Sequence, residues 1–212
     1  AEVYANESDL LRLLKRLPDA ASAARRAITL NPELPQAHGN LGACLIDLGD
    51  LVGARKALQS AIKLAPESPE NFVNLSELEI KSGAFSGARA AAEAAIDRAP
   101  KLPQALNALG NAHYALRDYI LAEDAYRRAI ELDPYFIAGY VNLADLYRAS
   151  FRDPDAERLL QTGLEQLPEA APLHFSLGLL KVRGKQMDQA LTALRQAVLL
   201  DPDTSRYRYV LA

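Results

Sequence analysis

A single period of 34 residues constrains this chain more than any other feature. Prolines stand at Pro32, Pro66, Pro100, Pro134, Pro168 and Pro202, each 34 residues from the last. Alanines keep the same interval at Ala20, Ala54, Ala88, Ala122, Ala156 and Ala190. So do leucines at Leu41, Leu75, Leu109, Leu143, Leu177 and Leu211. Three series with one period mark a repeat architecture. A unit of this size cannot bury its apolar faces alone, so neighbours must stack and share a core.

One period, Pro35 to Ser68, gives the local structure. From Gln36 to Leu48, apolar residues fall at Ala37, Leu41, Cys44, Leu45 and Leu48, which is helical spacing. Gly49-Asp50 interrupts it as a turn does. Leu51 to Ala65 resumes it through Ala54, Leu58, Ala61, Ile62 and Ala65, and Pro66 stops the helix. Each unit therefore reads as helix, short turn, helix and proline stop. Gly42, Gly110 and Gly178, with Ser76 and Ala144 at the same place, let the paired helices approach closely. His38, Phe72, Leu106, Tyr140 and His174 are large residues suited to the space between repeats.

Composition narrows the function. Of 212 residues, 50% are hydrophobic, enough for a sizeable core. The net charge of −3 and pI near 5.7 argue against a general nucleic-acid binder. No apolar run approaches the roughly 18 residues of a membrane span, so direct insertion is not expected. Cys44 is the single cysteine, which rules out an internal disulfide. A soluble chain is expected, cytoplasmic or periplasmic; its first residue is not Met, and the compartment stays open.

The pattern resembles the tetratricopeptide repeat family. The unit 103–136 carries the resemblance most fully, with Leu106, Leu109-Gly110, Tyr119, Ala122, Tyr126, Ala129 and Pro134. The resemblance implies an all-α, right-handed α-solenoid of helix-turn-helix units. Five complete units are expected at 35–68, 69–102, 103–136, 137–170 and 171–204. A degenerate repeat occupies 1–34, because Glu7-Ser8 stands where Leu-Gly is expected and its first helix departs from the pattern. In the fourth complete unit Phe151 replaces the turn glycine and Gly163 a packing alanine. Residues 205–212 read as the start of a further helix, so the native protein is expected to continue. The run from Asp201 to Val210 is similar to repeat segments of some large bacterial proteins, which suggests a bacterial source.

In this family the first helices line a concave groove, at the second, fifth, sixth, ninth, twelfth and thirteenth places of each unit. The resemblance puts Asn6, Asn40, Asn74, Ala108, Asn142 and Ser176 at the sixth place, a broken asparagine ladder. An amide side chain can donate to and accept from a peptide backbone at once. Asn is also simply common at this place. The other expected groove residues include Glu77, Lys81, Asn107, Asn111, Tyr114, Asp145, Arg148, Phe175 and Arg183, with Tyr114 and Phe175 as aromatic anchors. The Lys and Asn places of a carboxylate clamp are not met. The block 171–212 is basic, at +3, and suits an acidic partner, although a solvated helix face explains it as well.

Catalytic and metal-binding patterns are missing from the sequence. His38 and His174 occupy packing places, and His113 stands beside Tyr114 on a helix. Gly178 and Gly184-Lys185 miss phosphate-loop spacing, and Gln186 stands where Ser or Thr is needed. Acidic residues are expected to spread over solvent faces. No cofactor is implied. The reading is a non-catalytic scaffold that holds a protein or peptide segment in its groove. The alternatives are a substrate-recruiting part of a larger enzyme and self-assembly through the end repeats.

Overall fold

A computed structural model of the chain describes residues 1–211, and thirteen helices account for its regular structure there. The chain divides into two compact units, Ala1–Asp118 and Tyr119–Ala212. The first holds α1 (Glu2–Leu13), α2 (Leu17–Leu30), α3 (Pro35–Leu48), α4 (Leu51–Leu64), α5 (Pro69–Lys81), α6 (Phe85–Arg98) and α7 (Pro103–Ala115). The second holds α8 (Tyr119–Leu132), α9 (Ile137–Ala149), α10 (Asp153–Gln166), α11 (Ala171–Arg183), α12 (Met187–Leu200) and α13 (Ser205–Leu211). The last residue of the expected terminal helix, Ala212, lies outside the described residues.

Proline sets the helix ends twice over. Pro35, Pro69 and Pro103 open α3, α5 and α7, where a missing N–H costs nothing. Pro32 and Pro66 act one step earlier than the sequence suggests. The residue before a proline is driven out of the helical region. Asn31 and Ala65 accordingly leave the helical region, at φ −147° and −137°, and α2 and α4 stop at Leu30 and Leu64. Asp50 caps α4 by accepting the Gly53 N–H at 2.9 Å.

The turn inside each hairpin has one backbone signature. Lys15, Gly49, Gly83, Arg117, Phe151 and Lys185, again 34 apart, all take positive φ, between 57° and 82°. Glycine accepts this conformation freely, and a side chain costs about 1–2 kcal/mol there. Phe151 follows the family geometry despite its ring, which is exposed and lies 4.9 Å from the Arg183 guanidinium. Gly184 sits one place too early to serve the turn, and Lys185 takes the strained conformation instead. Phe151→Gly should therefore raise the stability of the fold by about 0.5–1 kcal/mol, even after losing an exposed cation–π contact. Urea denaturation measures this, and a lower midpoint would contradict it.

In the first unit α1 pairs with α2, α3 with α4 and α5 with α6, and α1, α3, α5 and α7 lie side by side. Leu45, Ile46, Ala54, Leu58 and Leu78 form one core cluster, and Ala20, Ala21 and Cys44 another. α1 is a full helix despite Glu7-Ser8. Ser8 fills the small place, is fully buried, and lies 3.8 Å from the Cys44 sulfur, while Glu7 faces solvent. In the second unit Tyr126, Tyr140, Leu143, Tyr147, Leu160 and Leu173 centre the core. The missing side chain at Gly163 makes room for Tyr140, whose ring would lie 2.9 Å from an added Cβ.

Candidate functional site

The side-by-side helices α1, α3, α5 and α7 enclose a cavity of about 750 Å³ along one face of the first unit. Asp9 and Arg12 border it from α1, Gln36, Gly39 and Asn40 from α3, Glu70, Asn71 and Asn74 from α5, and Gln104 from α7. Asn40 and Asn74 thus border the same cavity. Glu77 and Lys81 lie farther along α5 as a pair 3.4 Å apart. On α7, Asn107 and Asn111 are half-buried and Tyr114 is exposed.

Several polar residues of this face already serve the stack. Asn40 donates its amide to the Ala5 carbonyl at 2.8 Å, and Lys81 reaches the Ile46 carbonyl at 3.4 Å. Gln36 donates to Asn6 at 3.0 Å, and Arg12 pairs with Asp47 at 2.8 Å. Each of these bonds ties a first helix to the one beside it. Asn40 therefore has a structural task whatever else it does. Asn74 and Gln104 make no such bond with a described residue, so their amides open onto the cavity.

The second unit places Asn142, Asp145 and Arg148 on α9, and Phe175 and Arg183 on α11. A smaller cavity of about 100 Å³ lies there, bordered by Asp145, Arg148 and Arg206. Asp145 and Arg148 are 2.9 Å apart. Burial pushes the Asp145 carboxyl above its ordinary pKa, against the pull of Arg148 and Arg206. Arg183 donates to the Arg148 carbonyl at 2.6 Å and pairs with Asp153 at 3.2 Å, so it too braces adjacent helices. Phe175 is not the open anchor that the sequence suggests. It is 5% exposed, its ring lies 4.7 Å from Tyr207, and Arg206 covers it at 5.0 Å. Tyr207 stands at the third place of the period, where Ala37, Ala105 and Leu173 are also buried, and that phase was a usable signal.

Two of the three histidines bond to nearby backbone carbonyls. His38 and His174 lie within 2.7 and 2.8 Å of the Pro32 and Pro168 carbonyls, to which a ring N–H donates. His113 is buried with its Nδ1 3.6 Å from the Asp118 carboxylate, too far for a hydrogen bond. Burial pushes the Cys44 thiol above its usual range. Among the described residues no group of three or more His, Cys, Asp or Glu side chains could hold a metal ion. No helix among them is long and apolar enough to cross a membrane.

One polar series escaped the sequence reading. The twenty-first place of one repeat meets the eleventh place of the next: Arg55 with Glu79, Glu123 with Tyr147, Glu157 with Lys181. Lys181 is 7% exposed and lies 2.5 Å from Glu157, so not every acidic residue sits on a solvated face. The constant offset of 24 residues made these pairs visible in principle, since charge type swaps between Arg55–Glu79 and Glu157–Lys181 while the places stay fixed.

Models of the tetratricopeptide repeat match residues 7–69, 103–136 and 154–212. No curated protein matches the chain by sequence. Among solved structures, a tetratricopeptide repeat protein from Parabacteroides merdae superposes with a TM-score of 0.80 at 16% identity, over 99% of this chain and 82% of that one. A chain of the APC/C hetero-tetramer Cut9-Hcn1 gives 0.74 at 18% identity over 98% of this chain, which spans only 41% of that one. YrrB, described as a TPR protein with an unusual peptide-binding site, gives 0.53 at 19% identity, over 90% and 98% of the two chains. At these identities the likeness is one of fold.

Proposed function

Because the chain belongs to the tetratricopeptide repeat family, we propose that it is a non-catalytic interaction scaffold whose first unit holds an extended segment of a partner protein along α1, α3, α5 and α7. One observation carries this reading. A cavity of about 750 Å³ is bordered by Asn74 and Gln104, whose amides are not committed to the fold. Each can donate to and accept from a peptide group without regard to the partner's side chains. Glu77, Lys81, Asn107, Asn111 and Tyr114 extend the face along α5 and α7. In the second unit Asn142, Asp145, Arg148 and Arg183 form a separate polar surface on α9 and α11. The protein partners of Cut9 and the peptide site of YrrB accord with the reading.

Asn74→Ala with Gln104→Ala tests it. Both residues are at least partly exposed and bond to no described residue, so stability should change by no more than about 0.5 kcal/mol per site. Affinity for a peptide selected on the wild-type chain should fall by about 0.5–1.5 kcal/mol per lost hydrogen bond. Calorimetric titration of both proteins with that peptide measures the loss, and equal affinities would remove this face from the binding site.

A further inference from the structure

The floor of the same cavity holds a residue that the family pattern does not ask for. At the third place of the period the neighbouring repeats of the first unit carry Ala37 and Ala105, both fully buried. Between them stands Asn71, which is 6% exposed yet borders the cavity. Its amide bonds to no described residue. The amide faces the cavity and adds no hydrogen bond to the fold, whereas alanine, the better helix former, would fill the place as it does in both neighbouring repeats.

A second departure makes this possible. The fifth place, occupied by Ala5, Val73 and Asn107 elsewhere in the unit, is Gly39 on α3. A Cβ added at Gly39 would lie 2.8 Å from the Asn71 Oδ1. The side chain missing from α3 is therefore the space in which the α5 amide lies. Asn74 follows on the next turn of α5, and Gln104 borders the cavity from α7. Charge adds direction. Arg12 is engaged by Asp47, which leaves Asp9 and Glu70 as an acidic excess around the opening.

We propose that Asn71 is the specificity residue of this groove, its amide clamping one peptide group of an extended partner segment that carries a lysine or arginine beside Asp9 and Glu70. This rests on the groove reading above and adds a residue and a partner chemistry to it. It also sets stability against binding, since the fold alone gains nothing from this amide.

The experiment begins by panning a phage-displayed library of random linear peptides on the full 212-residue chain. The selected peptides are resynthesised and titrated into wild type, Asn71→Ala, Gly39→Ala and Asn74→Ala. The peptides should carry lysine or arginine and bind at least tenfold more weakly to Asn71→Ala. The thermal midpoint of Asn71→Ala should rise, a combination that loss of a merely structural residue would not give. Gly39→Ala should weaken binding too, because its Cβ displaces the amide. Unchanged affinity in Asn71→Ala together with a loss in Asn74→Ala would overturn the role of Asn71 and leave the groove standing. A lower midpoint for Asn71→Ala, or selected peptides rich in acid, would also overturn the proposal. Peptides indifferent to all three substitutions, or no selected peptide, would overturn the groove reading with it.

Discussion

Tyr147→Ala should be among the most damaging single substitutions in the second unit, at about 3–5 kcal/mol of folding stability. The ring is 2% exposed within the largest side-chain cluster of that unit. Its hydroxyl donates to Glu123 at 2.7 Å and accepts from Arg127 at 2.5 Å. Arg152 stacks 4.3 Å from the ring centre and donates to the other Glu123 oxygen at 2.6 Å. Alanine would leave a cavity and strip one partner from a shared carboxylate. Tyr147→Phe keeps the ring and removes only the hydroxyl, so it should cost about 1–2 kcal/mol. Chemical denaturation of the two variants separates the packing share from the polar share, and similar losses would mean that the ring contributes little.

The same cluster predicts a pH profile. Burial pushes the Glu123 carboxyl upward, but hydrogen bonds from Tyr147, Arg152 and Arg127 outweigh it and hold the group below the usual carboxylate range. A depressed acid stabilises the fold fully above its unfolded pKa of roughly 4.3, and that stability fades as pH falls through the lower folded value. Asp155 is lowered in the same sense by Arg152 and Arg158. On the alkaline side, burial and then Glu123 push the Tyr147 phenol up to about 12. Stability should fall as pH rises past roughly 10, where the unfolded phenol ionises. Glu123→Gln should flatten the acid limb without abolishing it, because Asp155 remains. Midpoints measured across the acid range test this, and a wild-type acid slope in Glu123→Gln would contradict it.

What the sequence could reveal about this chain follows from what a period encodes. Helix ends and turns depend on local chemistry, and Pro66, Gly49 and Asp50 announce them within a residue. Ser8 was harder, because smallness matters at that place more than the Leu-Gly pair that usually marks it. Side chains facing the next repeat were harder still. Whether Asn40 meets a ligand or the Ala5 carbonyl depends on how closely α3 lies to α1, which spacing along one helix does not fix. Phe175 was misread for a related reason: its cover, Tyr207, comes from α13, in the next period of the chain. Asn71 needed a comparison of unlike residues at one phase, together with the vacancy at Gly39 on the neighbouring helix.

An added Cβ at Gly42 would lie 2.7 Å from Leu58 side-chain carbons, and one at Gly178 would lie 2.7 Å from Leu194. Both leucines follow their glycines by 16 residues. At the same offset from Ser76 stands Ala92, and the Ser76 hydroxyl donates to the Ala88 carbonyl at 2.8 Å. These three hairpins thus use two solutions for one close approach: glycine facing leucine, or serine with alanine. Gly42→Ser alone should overpack the α3–α4 contact and cost about 1–3 kcal/mol. Leu58→Ala alone empties a fully buried place and should cost about 2–5 kcal/mol. The double variant reproduces the α5–α6 solution, because the new hydroxyl gains space and a helix carbonyl within reach. Its cost should be smaller than the sum of the single costs by about 1–2 kcal/mol, a coupling expected only between touching residues. Denaturant melts of the three variants close the cycle. Strict additivity would mean that Gly42 and Leu58 relax independently, and that helix separation in this hairpin is set elsewhere.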